Sequence, residues 1–106
     1  MKNIQECIDA CLACSLECER CATNCIAMNN KGHLKCIAHC RDCADLCALC
    51  ARFQARSSTF GKELCKLCEE ICKECSYECE KFADTECCKK CANACQKCAA
   101  ACVGMN

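Results

Sequence analysis

Twenty-two of the 106 residues are cysteine, and their spacing matters more than their number. The first run is Cys7, Cys11, Cys14, Cys18, Cys21 and Cys25, and the second is Cys36, Cys40, Cys43, Cys47 and Cys50. The third is Cys65, Cys68, Cys72, Cys75 and Cys79, and the fourth is Cys88, Cys91, Cys95, Cys98 and Cys102, with Cys87 beside its first member. Within each run the steps alternate between three and four, which is the a/d seam of a helical heptad. That seam ordinarily carries Leu, Ile or Val and faces a core. Thiols fill it here, so the interior itself is the candidate site. A thiol is a soft ligand once its proton is displaced, and many thiols on one face point to soft-metal binding.

Four chemistries compete for such thiols. Disulfides suit short, loop-rich secreted chains, whereas this pattern is regular and helical, and bridges within one helix at i, i+3 or i, i+4 have poor geometry. Cys7-Cys11-Cys14 and Cys36-Cys40-Cys43 fit a C-x3-C-x2-C cluster spacing, but any a/d repeat generates such triples. The ferredoxin run ending in Cys-Pro is missing, since the chain has no Pro. Zinc and Cu(I) separate on charge. Zn²⁺ on four thiolates carries a net charge of −2. Filling the core that way would bury about five doubly charged sites with no Lys or Arg on the seam to offset them. Monovalent Cu⁺ is soft and suits thiolate. When each copper joins two thiolates and each thiolate bridges two coppers, one Cu⁺ replaces one S–H proton and the core stays neutral. The reading is therefore multiple Cu(I) ions per chain. A general buffer for zinc, cadmium or silver is the alternative, and an iron–sulfur or redox protein a more distant one.

The elements that must position these thiols follow from the same pattern. Four runs without Pro predict four helices, and the polar stretches 28–32, 54–59 and 81–84 predict the breaks. Asn3 with Glu6, Asn30, Thr59 and Asp84 are candidate N-caps, and Gly104 is a C-terminal stop. Short connections make neighbours antiparallel. The expectation is an all-α, up-down-up-down four-helix bundle with a cysteine-lined core, one domain over 1–106, each helix about 22 residues or roughly 33 Å long. Leu, Ile, Val and Phe together number only 16, little bulk for a packed interior. Buried Cys acts as a small hydrophobe, so the metal-free chain should fold but pack loosely and gain cohesion from metal.

Extending the heptad past the thiols brings in further side chains. Met28, His33 and Phe82 continue it at the end holding the first and third connections. Ile4, Gln54 and Met105 continue it at the opposite end, which Ile4 and Met105 would plug. His33 is a ligand or gate, or else an exposed residue opening helix 2. His39, beside the seam near Cys36, Cys40 and Cys43, is half-buried or a ligand. Met28 is a weak thioether ligand or a flexible plug. Cys87, one position off the stripe, is the thiol expected to be partly exposed, and Phe82 reads as a lid. Leu12, Leu16, Leu49, Leu67 and Tyr77 fall on outer positions, as scattered surface residues or a homo-oligomer contact.

The net charge is zero, with 14 basic and 14 acidic residues, and aromatic residues are few. Neither a basic block nor a stacking platform supports nucleic-acid binding. No stretch reaches the ~18 apolar residues of a membrane span. The N-terminal residues show no secretory pattern, which favours the cytoplasm. The expected mode is binding rather than turnover, so no enzyme.

The repeated C-x3-C and C-x2-C pairs on four Pro-free segments, with Cys43-Ala44-Asp45-Leu46-Cys47-Ala48-Leu49 and Cys65-Lys66-Leu67-Cys68-Glu69-Glu70-Ile71-Cys72, resemble the bacterial copper storage protein family in its cytosolic branch. The likeness covers essentially the whole chain. It implies a four-helix bundle whose interior Cys residues bind many Cu(I) ions, and assembly into a homotetramer.

Overall fold

The computed structural model describes residues 4–103 and 105. Four helices follow one another: α1 (Ile4–Met28), α2 (Leu34–Ala55), α3 (Gly61–Glu80) and α4 (Glu86–Val103), with a single 3₁₀ turn at Lys31–His33 before α2. Each packs against the next, and α4 closes back on α1. The result is the antiparallel up-down-up-down bundle that short connections dictate. It measures 41 × 20 × 17 Å.

Among the described residues, the buried apolar side chains are all Cys or Ala. Ile8, Ile37, Leu46, Leu64 and Ile71 only lean on this core from its flanks. The alanines have their own logic. Ala22, Ala44, Ala51, Ala92 and Ala99 each follow a seam cysteine directly and are buried. A methyl group at these flanking positions lets the backbones approach closely enough for short thiol side chains to meet across the axis. Ser15 adds a tie between α1 and α2 by donating to the Ala44 carbonyl at 2.8 Å. This Cys-Ala pairing is a sequence feature that the a/d reading alone does not single out.

Helix ends depart from the expected caps in instructive ways. α1 stops at Met28 because Asn29 adopts a left-handed φ of 52°, the usual way to terminate a helix. Asn30 does cap as expected, accepting the Gly32 N–H at 2.9 Å, but it caps the 3₁₀ turn and not α2 itself. α2 ends with Ser57 left-handed at φ 52°. Ser57 donates to the Gln54 carbonyl at 3.1 Å and Ser58 to Phe53 at 3.0 Å, the paired bonds of a Schellman closure. That closure displaces the expected Thr59 cap. Phe60 precedes α3 without a side-chain cap bond, and Ser58 Oγ takes the Phe60 N–H at 3.1 Å instead. Asp84 is likewise displaced. Thr85 is the residue before α4, and its carbonyl accepts the Lys89 N–H at 3.0 Å. Asn3 and Gly104 lie outside the described residues.

One buried carboxylate clamps two helices. Glu78 on α3 is 3% exposed, and it meets Lys81 at 3.1 Å and Lys35 of α2 at 3.5 Å. Burial works against its charge, but the hydrogen bond from Lys81 and the nearby Lys35 outweigh it and hold the carboxyl below its ordinary value of 4.5. A carboxyl depressed by folding stabilises fully above its unfolded value, and the stabilisation is lost as pH falls through the folded one. The melting temperature of metal-free protein should therefore exceed that of Glu78→Gln most at neutral pH. The gap should narrow on acidification below about pH 4.5, a trend that thermal melts across pH will read.

Candidate metal centre

Twenty-one of the cysteines are buried and Cys87 is half-buried, all as free thiols. The stripes of the four helices converge on one axis and form a continuous column of sulfur. At one end Cys65 lies 3.9 Å from Cys7 and 3.8 Å from Cys50. In the middle Cys43 lies 3.8 Å from Cys14 and 3.7 Å from Cys72. Further on, Cys18 and Cys91 approach to 3.5 Å, as do Cys36 and Cys79. Cys25 and Cys88 close the other end at 3.6 Å. Contacts also cross the diagonal of the bundle, as between Cys40 and Cys91 at 3.7 Å. Large aliphatic side chains on the seam would fill the axis and keep the diagonal partners apart.

These separations bring neighbouring sulfurs within reach of a shared ion. With metal–sulfur bonds of about 2.3 Å, the zinc value, sulfurs around one ion sit roughly 3.8–4.0 Å apart in tetrahedral or trigonal sets. Several groups of four thiols have all their sulfurs within 4.8 Å of one another, and they overlap: Cys7, Cys11, Cys50 and Cys102 share Cys11 and Cys102 with Cys11, Cys68, Cys98 and Cys102. Overlap matters because a sulfur belonging to two groups can bridge two ions. The column therefore offers shared positions rather than separate cages.

Its electrostatics favour neutral contents. The buried polar residues among those described are His33, Gln54, Ser76 and Glu78, so the column has no buried Lys or Arg to offset thiolate charge. Burial pushes the Cys25 thiol up to about 11 and the Cys65 thiol up to about 12. Burial also raises Cys88. Such thiols stay protonated until a cation takes the proton's place.

The other expected site residues fall differently. His33 is inward and 4% exposed. It stays on the face of Cys36 because it immediately precedes α2, where residues three apart are neighbours on one face. Its ring meets Phe82 edge-on at 4.1 Å, and its Nδ1 is buried without a hydrogen-bond partner. Phe82 is half-buried against the core. Met28 does not extend the stripe into the core. It is 46% exposed, since α1 ends there and the heptad register ends with it. His39 is half-buried beside the stripe. At the opposite end Ile4 is 43% exposed and so does not plug the column, whereas Gln54 is buried. Met105 is half-buried against the core. Leu12, Leu16, Leu49, Leu67 and Tyr77 are exposed as expected. No helix among the described residues is long and apolar enough to cross a membrane.

The fold and the column define a helical-bundle protein with a thiol interior suited to several soft ions. A family model described as copper storage protein matches residues 1–106, and the chain belongs to that family. A cysteine-rich protein of Bacillus subtilis, YhjQ, is 42% identical over 83% of this chain and 82% of its own length. Among solved structures, a Cu(I)-bound copper storage protein, BsCsp3, is 42% identical, with a TM-score of 0.90 over 95% of each chain. A cytosolic copper storage protein from Streptomyces lividans, solved with five coppers, is 31% identical. It has a TM-score of 0.90 over 96% of this chain and 90% of its own.

Access separates Cys87 from the other thiols. In metal-free protein, iodoacetamide under native conditions should alkylate one thiol per chain quickly, and Cys87→Ser should remove that fast phase. Mass spectrometry of the modified protein will count the labels. Several fast labels in the wild type would mean that the column opens readily.

Proposed function

We propose that the buried thiols are the ligand set of a Cu(I) store, with Cys87 at its margin, and that the whole of 1–106 works as one unit. The observation behind this is the continuous column of free thiols 3.5–4.0 Å apart, without buried Lys or Arg among the described residues. Each incoming Cu⁺ displaces one thiol proton, the sulfurs bridge neighbouring ions, and the interior remains neutral. Divalent ions would leave uncompensated buried charge at every site. The role is sequestration and release, with no chemical step on a substrate.

His33 and Met28 are proposed as the way in. His33, with its unpartnered Nδ1, lies three residues before the stripe of α2, and the exposed Met28 ends α1 three residues beyond Cys25, which pairs with Cys88 at this end. Imidazole and thioether hold Cu(I) more loosely than thiolate, so they can hand it inward. His39 is at most a peripheral donor. The cytosolic description of the Streptomyces relative supports a cytoplasmic place for this chain. Exposed Leu12, Leu16, Leu49, Leu67 and Tyr77 support self-association, proposed here as a homotetramer.

Three outcomes are expected. Anaerobic titration with Cu(I) should saturate at about 20 ions per chain under the bridging scheme. Saturation at about five would indicate separate four-thiolate sites instead. The metal-free chain should already show a helical far-ultraviolet circular dichroism spectrum. Loading should mainly raise its melting temperature, since a ligand bound only by the native state stabilises it. A coil spectrum without metal would contradict this. Replacing both Met28 and His33 with Leu should slow copper uptake severalfold in stopped-flow measurements while leaving capacity nearly unchanged. Uptake at the wild-type rate would remove the His33 end as the way in.

A further inference from the structure

The two ends of the sulfur column are built from different chemistry. Past Cys50 the α2 stripe continues into Gln54, and the α3 stripe begins at Gly61, four residues before Cys65. Gln54 is 7% exposed. Its Nε2 donates to the Gly61 carbonyl at 2.8 Å, spanning the α2–α3 connection, and stands 3.9 Å from Cys50 Sγ. A Cβ on Gly61 would come within 3.1 Å of that Nε2 and 3.2 Å of Oε1. Gly61 has no positive φ, so glycine serves here by leaving room for the carboxamide. The Schellman closure at Ser57 and Ser58 fixes the backbone around it.

A buried amide at a seam position is costly unless its polar atoms are satisfied. A cysteine there would simply lengthen the column, and a leucine would plug it without polar cost. The carboxamide instead ties the last turn of α2 to the first residue of α3. It is a hard, neutral group with little affinity for Cu(I), so it offers no stepping stone of the kind that His33 and Met28 provide. Ile4, on the same end, is too exposed to close it, and Met105, half-buried against the core there, is a flexible side chain that can cover the column but ties no two helices together as Gln54 does.

We propose that Gln54 and Gly61 form a latch that seals this end, so that copper on Cys7, Cys50 and Cys65 leaves only by passing along the column toward His33. This rests on the storage reading and makes Gln54 a positioning residue, not a ligand. It divides the stored copper into ions near the His33 end that exchange readily and ions behind the latch that are retained longest.

The test is chelator-driven removal from fully loaded protein under anaerobic conditions, followed by stopped flow. Gln54→Ala should drain severalfold faster than wild type, above all in the slow phase, with unchanged copper capacity. Added to Met28→Leu/His33→Leu, it should restore the exchange that the double substitution slows. Ala51→Gly loosens α2 one turn earlier without opening the end, and it should drain at the wild-type rate. Gly61→Ala, whose new methyl crowds the carboxamide at 3.1 Å, should drain faster than wild type though less than Gln54→Ala, and serves if that variant fails to fold. Wild-type drainage in both latch variants would overturn the proposal, as would drainage in Ala51→Gly as fast as in Gln54→Ala. If the Met28 and His33 substitutions slow nothing, the proposed way in is wrong, and the single latch variants still decide the seal. Failure of the storage reading would show separately, as protein that takes up no copper.

Discussion

Everything in this molecule depends on keeping a large number of thiols dry, neutral and in contact. A thiol buried alone is an inert small hydrophobe. A column of them is a solvent for soft monovalent cations, provided that no charge accumulates. The bundle meets that condition by exclusion: among the described residues the Lys and Arg side chains stay outside, and the buried carboxylate Glu78 is held by Lys35 and Lys81 at the edge of the core. Burial that raises the Cys25 and Cys65 thiols has the same effect, since it keeps them protonated until copper arrives. Proton and Cu⁺ carry equal charge, so loading exchanges one for the other without an electrostatic penalty that grows with occupancy.

The same constraint explains why the interior has so little bulk. A leucine seam would give a tighter bundle and no site. Cysteine gives weaker packing, and the buried alanines after the seam cysteines recover part of the loss by letting helices sit close. The short side chains also let diagonal partners meet, as Cys40 and Cys91 do, which joins four stripes into one column. Cohesion and function are thus coupled: ions that bridge the stripes cross-link the helices that carry them. The two ends then differ in kind. One presents an imidazole with a free buried nitrogen against an aromatic lid, and the other presents an amide whose donor is already engaged.

Much of this was legible in the sequence because the heptad period is long, regular and free of Pro. The alternation of three and four fixed which residues face inward over nearly the whole chain, and it placed Cys87 at the margin and Gln54 on the seam. Extrapolation failed where the helices stop. Met28 kept its place in the count but lost its inward direction, because Asn29 turns left-handed immediately after it. His33 stays inward because it directly precedes α2, as its N-cap, three residues ahead of Cys36. Thr59 and Asp84 had the right chemistry for caps, but the Schellman closure and the turn ending at Thr85 moved the helix starts past them. The Gln54–Gly61 contact was out of reach for another reason. A glycine in sequence does not say whether it is there for backbone freedom or for space, and only the packing of the amide decides it.

The central claim is that copper replaces protons one for one throughout a neutral column. Anaerobic Cu(I) titration in weakly buffered solution tests it most directly, with bound ions counted by native mass spectrometry and released protons read by a pH indicator. The account predicts one proton released for each copper bound, continuing to about one ion per thiol. Saturation at about five ions, with two or more protons released for each, would contradict it.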